Sequence, residues 1–368
     1  MKNNTNKKPE FHGSDLEKIE EYYKIPKEEI VSFGANVNPL GLSQKVKKKL
    51  AENLDIISSY PDRNYKTLKN AIGSYSGVSP EYVVVGNGST ELISLLISQR
   101  RPSRALLLGP TYSEYARELS LVGGAMSYYN LKEEMHFRLD IEDFLMAITD
   151  DTELVIICNP NNPTSSALTC KELEEIIYEC EKRNIFVMID ETYVEFAPSM
   201  ANITAVPLAE RYDNFMVIRG VSKFFAAPGL RFGYGITSNK EFLASLLEHQ
   251  NPWSLNSIGA YAGELLLSDK DYIQKTRDLI CTERDHMIYA LSQMNGIKVY
   301  DAYANFILVK ILKEGITSFD VFEACIREKM MIRDCSSFDS LNGEYVRFCI
   351  MNPEDNKRLI EVLRKILA

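Results

Sequence analysis

Five short stretches of this 368-residue chain carry side chains suited to covalent or acid–base chemistry, and each follows an apolar run. Ser222 and Lys223 lie just past Phe215–Ile218, and Arg231 comes eight residues after the lysine. A lysine amine can form a Schiff base with a carbonyl, and a guanidinium can hold a phosphate as a planar fork. Asp190 closes the run Phe186–Ile189, with Tyr193 three residues on. Asn162 stands in the turn Asn159-Pro160-Asn161-Asn162-Pro163-Thr164, and Tyr112 follows Ala105–Leu108. Gly88-Ser89-Thr90 joins Tyr82–Val85 to the helical pattern Leu92–Ser98, a place where free N–H groups and the helix dipole attract an anion. Each stretch also has a plain alternative. Most lysines are solvated surface charges, and Ser89 or Thr90 can simply cap a helix.

The elements that must position these groups alternate between apolar strands and helices from about residue 43 to 236. That pattern predicts an α/β fold, with a mainly parallel central sheet and helices on both faces. In such sheets ligands bind beyond the carboxyl ends of the strands, where these polar residues fall. The expected organisation is an N-terminal arm and cover segment over 1–42, a large α/β domain over 43–248 and a small α+β domain over 249–368. The break at 249 is read from Asn251-Pro252, which interrupts a helix; a long helical region is expected over about 257–294. The segment VSFGANVNPLG, residues 31–41, reads either as a polar turn or as a strap offering amide groups to a site.

Composition narrows the function classes. Hydrophobic residues make up 45% and charged residues 25%, a soluble globular balance. A net charge of −9 and a pI near 5.2 argue against nucleic-acid or anionic-membrane partners. The seven cysteines are scattered without a CxxC, and the four histidines lack metal-ligand spacing, so neither a disulfide framework nor a metal site is expected. The N-terminus MKNNTNKKPEF has no signal-peptide core and no stretch approaches 18 apolar residues, so a cytoplasmic protein is expected.

Amine, buried carboxylate, phenol, amide, aromatic ring and anion turn form the set that an aldehyde cofactor with a phosphate tail and a pyridine nitrogen requires. A carboxylate beside the ring nitrogen keeps it protonated, so that the ring can act as an electron sink. The motifs NPNNPT, IDETYVEF and SKFFAAPGLRFGY, at compatible spacing, resemble those of the fold type I pyridoxal-phosphate enzymes, the class I/II aminotransferase superfamily. The resemblance runs from about residue 10 to the end. It implies that Lys223 is the cofactor lysine and proton shuttle, that Asp190 pairs with the pyridine nitrogen, and that Asn162 and Tyr193 contact the ring oxygen. It further implies that Tyr112 stacks on the ring, and that Ser222, Arg231 and the backbone at Gly88, Ser89 and Thr90 hold the phosphate. Tyr60 is then expected to reach the phosphate of a neighbouring subunit in a homodimer with its active sites at the interface. Arg347 matches the arginine that grips a substrate carboxylate.

Two positions depart from the family pattern. Ser165 stands where glycine is usual, and Gly220 where a hydroxyl residue is common. Within the superfamily two branches remain open, the threonine-phosphate decarboxylases of cobalamin biosynthesis and the histidinol-phosphate aminotransferases. The His12-Gly13 arm, FGANVNPLG, NPWSLNSIGAYAGE and RDCSSFDSLNGEYVRFCI look closer to the first. Both branches act on a phosphorylated small molecule, so a second anion site is expected, with Asn36, Arg333 and His12 as candidates. A surface histidine and a structural ion pair are the competing readings of His12 and Arg333. A remote alternative is a non-catalytic pyridoxal-phosphate-binding regulator. That would need an added DNA-binding domain, and only about 32 residues precede the common core.

Overall fold

The computed structural model describes residues 9–367. The Lys- and Asn-rich first eight residues, on which the signal-peptide argument partly rests, lie outside them. The chain forms two compact units. The larger comprises Val37–Cys281 and Asp301–Asn305; the smaller comprises Met1–Asn36, Thr282–Tyr300 and Phe306–Ala368.

The smaller unit opens with α1 (Leu16–Tyr23) and β1 (Val31–Ser32). The larger unit runs through α2 (Gln44–Glu52), α3 (Lys66–Ser76), β2 (Val83–Gly86), α4 (Ser89–Arg100), β3 (Arg104–Gly109), α5 (Glu114–Leu121) and β4 (Ala125–Asn130). It continues with α6 (Ile141–Ala147), β5 (Leu154–Cys158), α7 (Cys170–Lys182), β6 (Phe186–Asp190), α8 (Met200–Ile203), β7 (Phe215–Gly220), β8 (Gly233–Ile236), α9 (Lys240–His249) and α10 (Ser257–Ser268). Helix α11 (Lys270–Ser292) passes from one unit to the other. The smaller unit is completed by β9 (Ile297–Val299), β10 (Phe306–Ile311), α12 (Ser318–Arg327), β11 (Met330–Met331), β12 (Arg333–Asp334), β13 (Tyr345–Cys349) and α13 (Pro353–Leu367).

In the larger unit seven strands form one sheet in the order β2-β8-β7-β6-β5-β3-β4. Strands β3 to β7 are mutually parallel, and β8 runs antiparallel to both β2 and β7. Every residue of β5, β6 and β7 is buried, as expected of parallel strands covered on both faces. On one face Ile156, Met188 and Ile218 pack against Leu92 and Leu96 of α4, Leu119 of α5 and Phe242 of α9. Leu173, Ile176 and Ile177 of α7 are also fully buried, and a capping box between Thr169 and Glu172 starts that helix. Each such aliphatic side chain contributes roughly 1.5–3 kcal/mol by leaving water. The register pairs Cys158 with Asp190 and Asp190 with Ile218, so β5, β6 and β7 end side by side.

The smaller unit holds an antiparallel sheet in the order β12-β13-β10-β9, with β1 paired to β11 apart from it. Helix α12 begins at a second capping box, between Thr317 and Asp320.

The unit boundaries differ from those read in the sequence. Asn251-Pro252 does end α9, but α10 stays with the larger unit. Its Gly263 lies so close to Phe232 and Leu68 that an added Cβ would meet them at 2.6 and 2.9 Å. The long helical region is two helices. Asp269 breaks it by leaving the helical conformation and accepting a hydrogen bond from Ser43 Oγ at 2.6 Å.

Candidate active site

The anion turn is built as a helix start. Gly88 precedes α4 with φ +84, a conformation that favours glycine, and no side chain caps the helix there. The first N–H groups of α4, including those of Ser89 and Thr90, are therefore left to a ligand. Three further features converge on the turn. An added Cβ on Gly88 would come within 2.5 Å of Arg231 Nη2, so the guanidinium sits directly over it. An added Cβ on Gly233 would meet Ser89 N at 2.4 Å, which presses β8 against the helix start. The Ser89 Oγ lies 3.8 Å from where a Gly220 Cβ would stand, so a serine hydroxyl occupies space beside the position where the family usually has one. Arg231 is exposed and donates to Pro228 O at 3.2 Å.

Asp190 ends β6 and is 4% exposed. Its two carboxylate oxygens take hydrogen bonds from Tyr115 Oη at 2.6 Å, from Thr192 N–H at 2.9 Å and from Thr192 Oγ1 at 2.5 Å. Burial pushes the carboxyl above its ordinary pKa, and the donors from Thr192 and Tyr115 oppose that push. Tyr112 stands at the start of the next connection, half-buried, with its ring edge-on to Tyr115 at 5.6 Å. Desolvation pushes its phenol up to about 12; Glu114 and Asp190 add to the shift and Arg231 reduces it. Tyr112 thus lies within electrostatic reach of both the carboxylate and the guanidinium.

The loop after β5 divides its asparagines between two tasks. Asn159 Nδ2 donates to the carbonyls of Leu168 (3.1 Å) and Ile203 (2.8 Å), and Asn161 Nδ2 to Pro110 O (2.9 Å) and Thr164 Oγ1 (2.9 Å). These two hold the loop to its neighbours, while Asn161 Oδ1 and Thr111 Oγ1 are buried without a hydrogen-bond partner. Asn162 is 8% exposed and Tyr193 is buried just past β6. Ser165 has φ +60, which accounts for glycine being usual there. Here its hydroxyl accepts from Ala304 N–H at 3.0 Å and its carbonyl from Tyr303 N–H at 2.8 Å.

Ser222 and Lys223 occupy the turn after β7 and are half-buried. Tyr60 is 81% exposed, with its ring tilted on Trp253 at 4.9 Å. In the smaller unit Arg347 is buried, donates through Nη2 to Gly34 O at 2.7 Å and lies 5.1 Å over the Phe306 ring. Arg333 is paired with Arg347 across β12 and β13, donates to Phe11 O and to Ser337 Oγ (2.6 Å), and stacks over Phe338. His12 is exposed, and its N–H donates to Asp15 Oδ2 at 2.9 Å. Asn36 is buried with φ +56.

Two groups near this constellation were missed in the sequence. Tyr115 lies in the first turn of α5, and its partner Asp190 is 75 positions away, so no local signal marks the contact. No local signal marks the buried pair Arg219–Glu191 either. Arg219 Nε and Nη2 both donate to Glu191 Oε2, at 2.9 and 2.7 Å, with both side chains about 1% exposed or less. Burial works to lower the guanidinium's pKa, and Glu191 more than reverses that.

The residues of the larger unit fit pyridoxal phosphate: an uncapped helix start under a guanidinium, a buried carboxylate held by donors, and an amine, amide and phenol on adjacent strand ends. The comparisons agree. The model of aminotransferase class I and II matches residues 28–363, and the chain belongs to that family. It is a pyridoxal-phosphate-dependent enzyme. A Caldanaerobacter subterraneus protein provisionally assigned as a threonine-phosphate decarboxylase is 36% identical over 99% of this chain and 96% of its own length. The threonine-phosphate decarboxylase of Salmonella typhimurium is 32% identical over 97% of this chain and 96% of its own. The crystal structure of the histidinol-phosphate aminotransferase from Clostridium acetobutylicum superposes with a TM-score of 0.85 at 31% identity, covering 91% of this chain and 98% of that one.

Proposed function

We propose that this enzyme decarboxylates a small O-phosphorylated amino acid of the threonine-phosphate type. The observation that carries the reading is the register of β12 against β13, which sets Arg333 directly opposite Arg347. Directly opposed residues of an antiparallel pair share a face. Two arginines on one face suit a substrate that carries both a carboxylate and a phosphate, one anion for each guanidinium. Decarboxylase relatives at 36% and 32% identity support the same choice. The likeness to a histidinol-phosphate aminotransferase at 31% supports a second reading, transamination.

Bound pyridoxal phosphate supplies an aldehyde for exchange with the substrate amine and a ring that takes up electron density from the substrate Cα. In our assignment the Lys223 amine anchors it and moves the proton at Cα. Asp190 holds the proton on the ring nitrogen, and Asn162 and Tyr193 hydrogen-bond the ring oxygen. Tyr112 covers one ring face. Arg231, the Ser222 hydroxyl and the N–H groups after Gly88 at Ser89 and Thr90 take the phosphate. Arg347 grips the substrate carboxylate and Arg333 its phosphate, with Asn36 and His12 as further polar contacts. The outcome would turn on how Arg347 and Arg333 orient the substrate: with the carboxylate presented for loss, carbon dioxide would leave; with the Cα hydrogen presented to Lys223, the amine would take that proton and transamination would follow.

We also propose a homodimer in which Tyr60 serves the neighbouring subunit. Supporting this, exposed Ile57, Tyr60 and Trp253 line a cavity of about 430 Å³, a set of apolar side chains to leave in water. Among the described residues no helix is long and apolar enough to cross a membrane, and all seven cysteines are free thiols, which supports a reducing cytoplasm.

The test is incubation with threonine phosphate, and separately with histidinol phosphate plus 2-oxoglutarate. The proposal expects carbon dioxide from the first with no keto-acid requirement. Glutamate formation from the second, with no carbon dioxide from the first, would replace it by the aminotransferase reading.

A further inference from the structure

The strap VSFGANVNPLG contains a residue whose contacts serve the lysine turn. We propose that Asn38 is a positioning residue for Lys223, fixing the turn that carries the amine. This rests on the assignment of Lys223 as the cofactor lysine made above.

The sequence Asn38-Pro39-Leu40-Gly41 spells a β-turn, with asparagine first, proline second and glycine last. The turn closes by Gly41 N–H donating to Asn38 O at 3.2 Å, and Asn38 Oδ1 accepts from Leu40 N–H at 3.0 Å. That arrangement orients the rest of Asn38 toward the turn after β7. Its main-chain N–H donates to Lys223 O at 3.0 Å, and its side-chain Nδ2 donates to Phe224 O at 2.7 Å. Two successive carbonyls of the lysine turn are therefore held by one residue. The same Nδ2 lies 2.9 Å from Tyr272 Oη and 2.8 Å from Thr276 Oγ1, so two amide hydrogens are shared among three oxygens. Tyr272 Oη in turn donates to Gly41 O at 2.7 Å, and its ring stacks on Phe225 with planes 16° apart.

Asn38 is 2% exposed and Thr276 fully buried, so these bonds form away from competing water. The Lys223 side chain is a flexible four-carbon stem, so the amine is only as well placed as its Cα. Within the turn Lys223 O also accepts from Ala226 N–H at 3.2 Å and Val221 O from Ala227 N–H at 3.2 Å, and Asn38 ties that turn to the strap. A shift of about 1 Å at that Cα would misplace the amine enough to cost about 100-fold in rate. The sequence left this strap open between a turn and a strap offering amides to a ligand. It is a turn at Asn38, whose main-chain N–H is offered to Lys223 O and whose side-chain amide is offered to Phe224 O.

The test is the pair Asn38→Ala and Asn38→Asp, with Tyr272→Phe as the milder variant. Asn38→Asp keeps the acceptor for Leu40 N–H and removes both amide hydrogens. Expected are a fall in kcat of about 10- to 100-fold with KM within about threefold, a shifted pH midpoint of the bound cofactor's visible absorbance, and faster amide hydrogen exchange over 222–227 in the cofactor-free protein. Tyr272→Phe should lower kcat by about fivefold, the worth of one hydrogen bond. Variants that fold with wild-type kcat, absorbance midpoint and exchange would overturn the proposal, as would a loss confined to thermal stability. Should neither Asn38 variant fold, Tyr272→Phe decides by the same three readouts. Borohydride reduction of the wild type separates the two levels. If the cofactor is not fixed on Lys223, the assignment beneath the proposal fails. If it is, and the variants are unchanged, only the role of Asn38 fails.

Discussion

The groups proposed to hold the cofactor and the two arginines proposed to hold the substrate are built in opposite ways. In the larger unit, Gly88, Tyr112, Asn162, Asp190 and Lys223 come from five separate strand ends, and each is held by its own short loop. In the smaller unit, Arg333 and Arg347 come from neighbouring strands and are set opposite each other by sheet register. The first design localises every group independently, so losing one leaves the others in place. The second makes two charges depend on one alignment. A one-residue slip of β12 would turn Arg333 to the opposite face.

That contrast orders the expected effects. On the proposed assignment, Asp190→Asn removes the charge that would keep the ring nitrogen protonated and should lower kcat by at least about 1000-fold, while threonine-phosphate KM changes little. A fall in kcat/KM carried mainly by KM would mean that Asp190 serves substrate binding instead. Arg347→Ala should lower kcat/KM by about 100-fold, and Arg333→Ala by about 10-fold, as losses of buried and half-buried charge-assisted bonds. In both, cofactor affinity measured by absorbance titration should stay at the wild-type value. The pair is coupled, so the double variant should lose less than the product of the single losses. A fully multiplicative result would place the two arginines on separate anions that do not interact.

A separate effect concerns stability. Three acids crowd into Asp190–Glu195, all buried, and each meets a different environment. Asp190 has three donors and Glu191 has Arg219, but Glu195 Oε2 has no partner. Burial raises the Glu195 pKa to about 7, partly opposed by Arg219. The folded protein therefore keeps this proton over a range where the unfolded chain, ordinary at 4.5, has lost it. The sign follows: stability falls as pH rises from about 4.5 to 7, by up to about 3 kcal/mol. Glu195→Gln should be more stable than wild type at pH 8 and lose that advantage at pH 5, measured by urea unfolding at both. An advantage that did not change with pH would assign the strain at Glu195 to packing.

How much could be read from the chain follows the same division. The strand ends were legible because buried parallel strands are continuous apolar runs, and each polar motif sits beside its run in sequence. Tyr115, the donor to Asp190, was hidden because it stands 75 positions from its partner and nothing in the local pattern links the two. The opposition of Arg333 and Arg347 depends on strand pairing, which local pattern does not encode. Asn36 and Asn38 look alike in sequence, and only the fold directs Asn38 to the lysine turn. The unit boundary was misplaced because a helix break at Asn251-Pro252 carries a strong local signal, whereas the packing of Gly263 on Phe232 and Leu68 carries none.

The central claim is that Lys223 is the amine on which the cofactor is held. Borohydride reduction of the purified protein, followed by peptide mapping, tests it most directly. The account predicts a yellow protein that loses its visible absorbance on reduction, with the added cofactor mass on the peptide containing Lys223. A protein that stays colourless with added pyridoxal phosphate, or label on a different lysine, would contradict it.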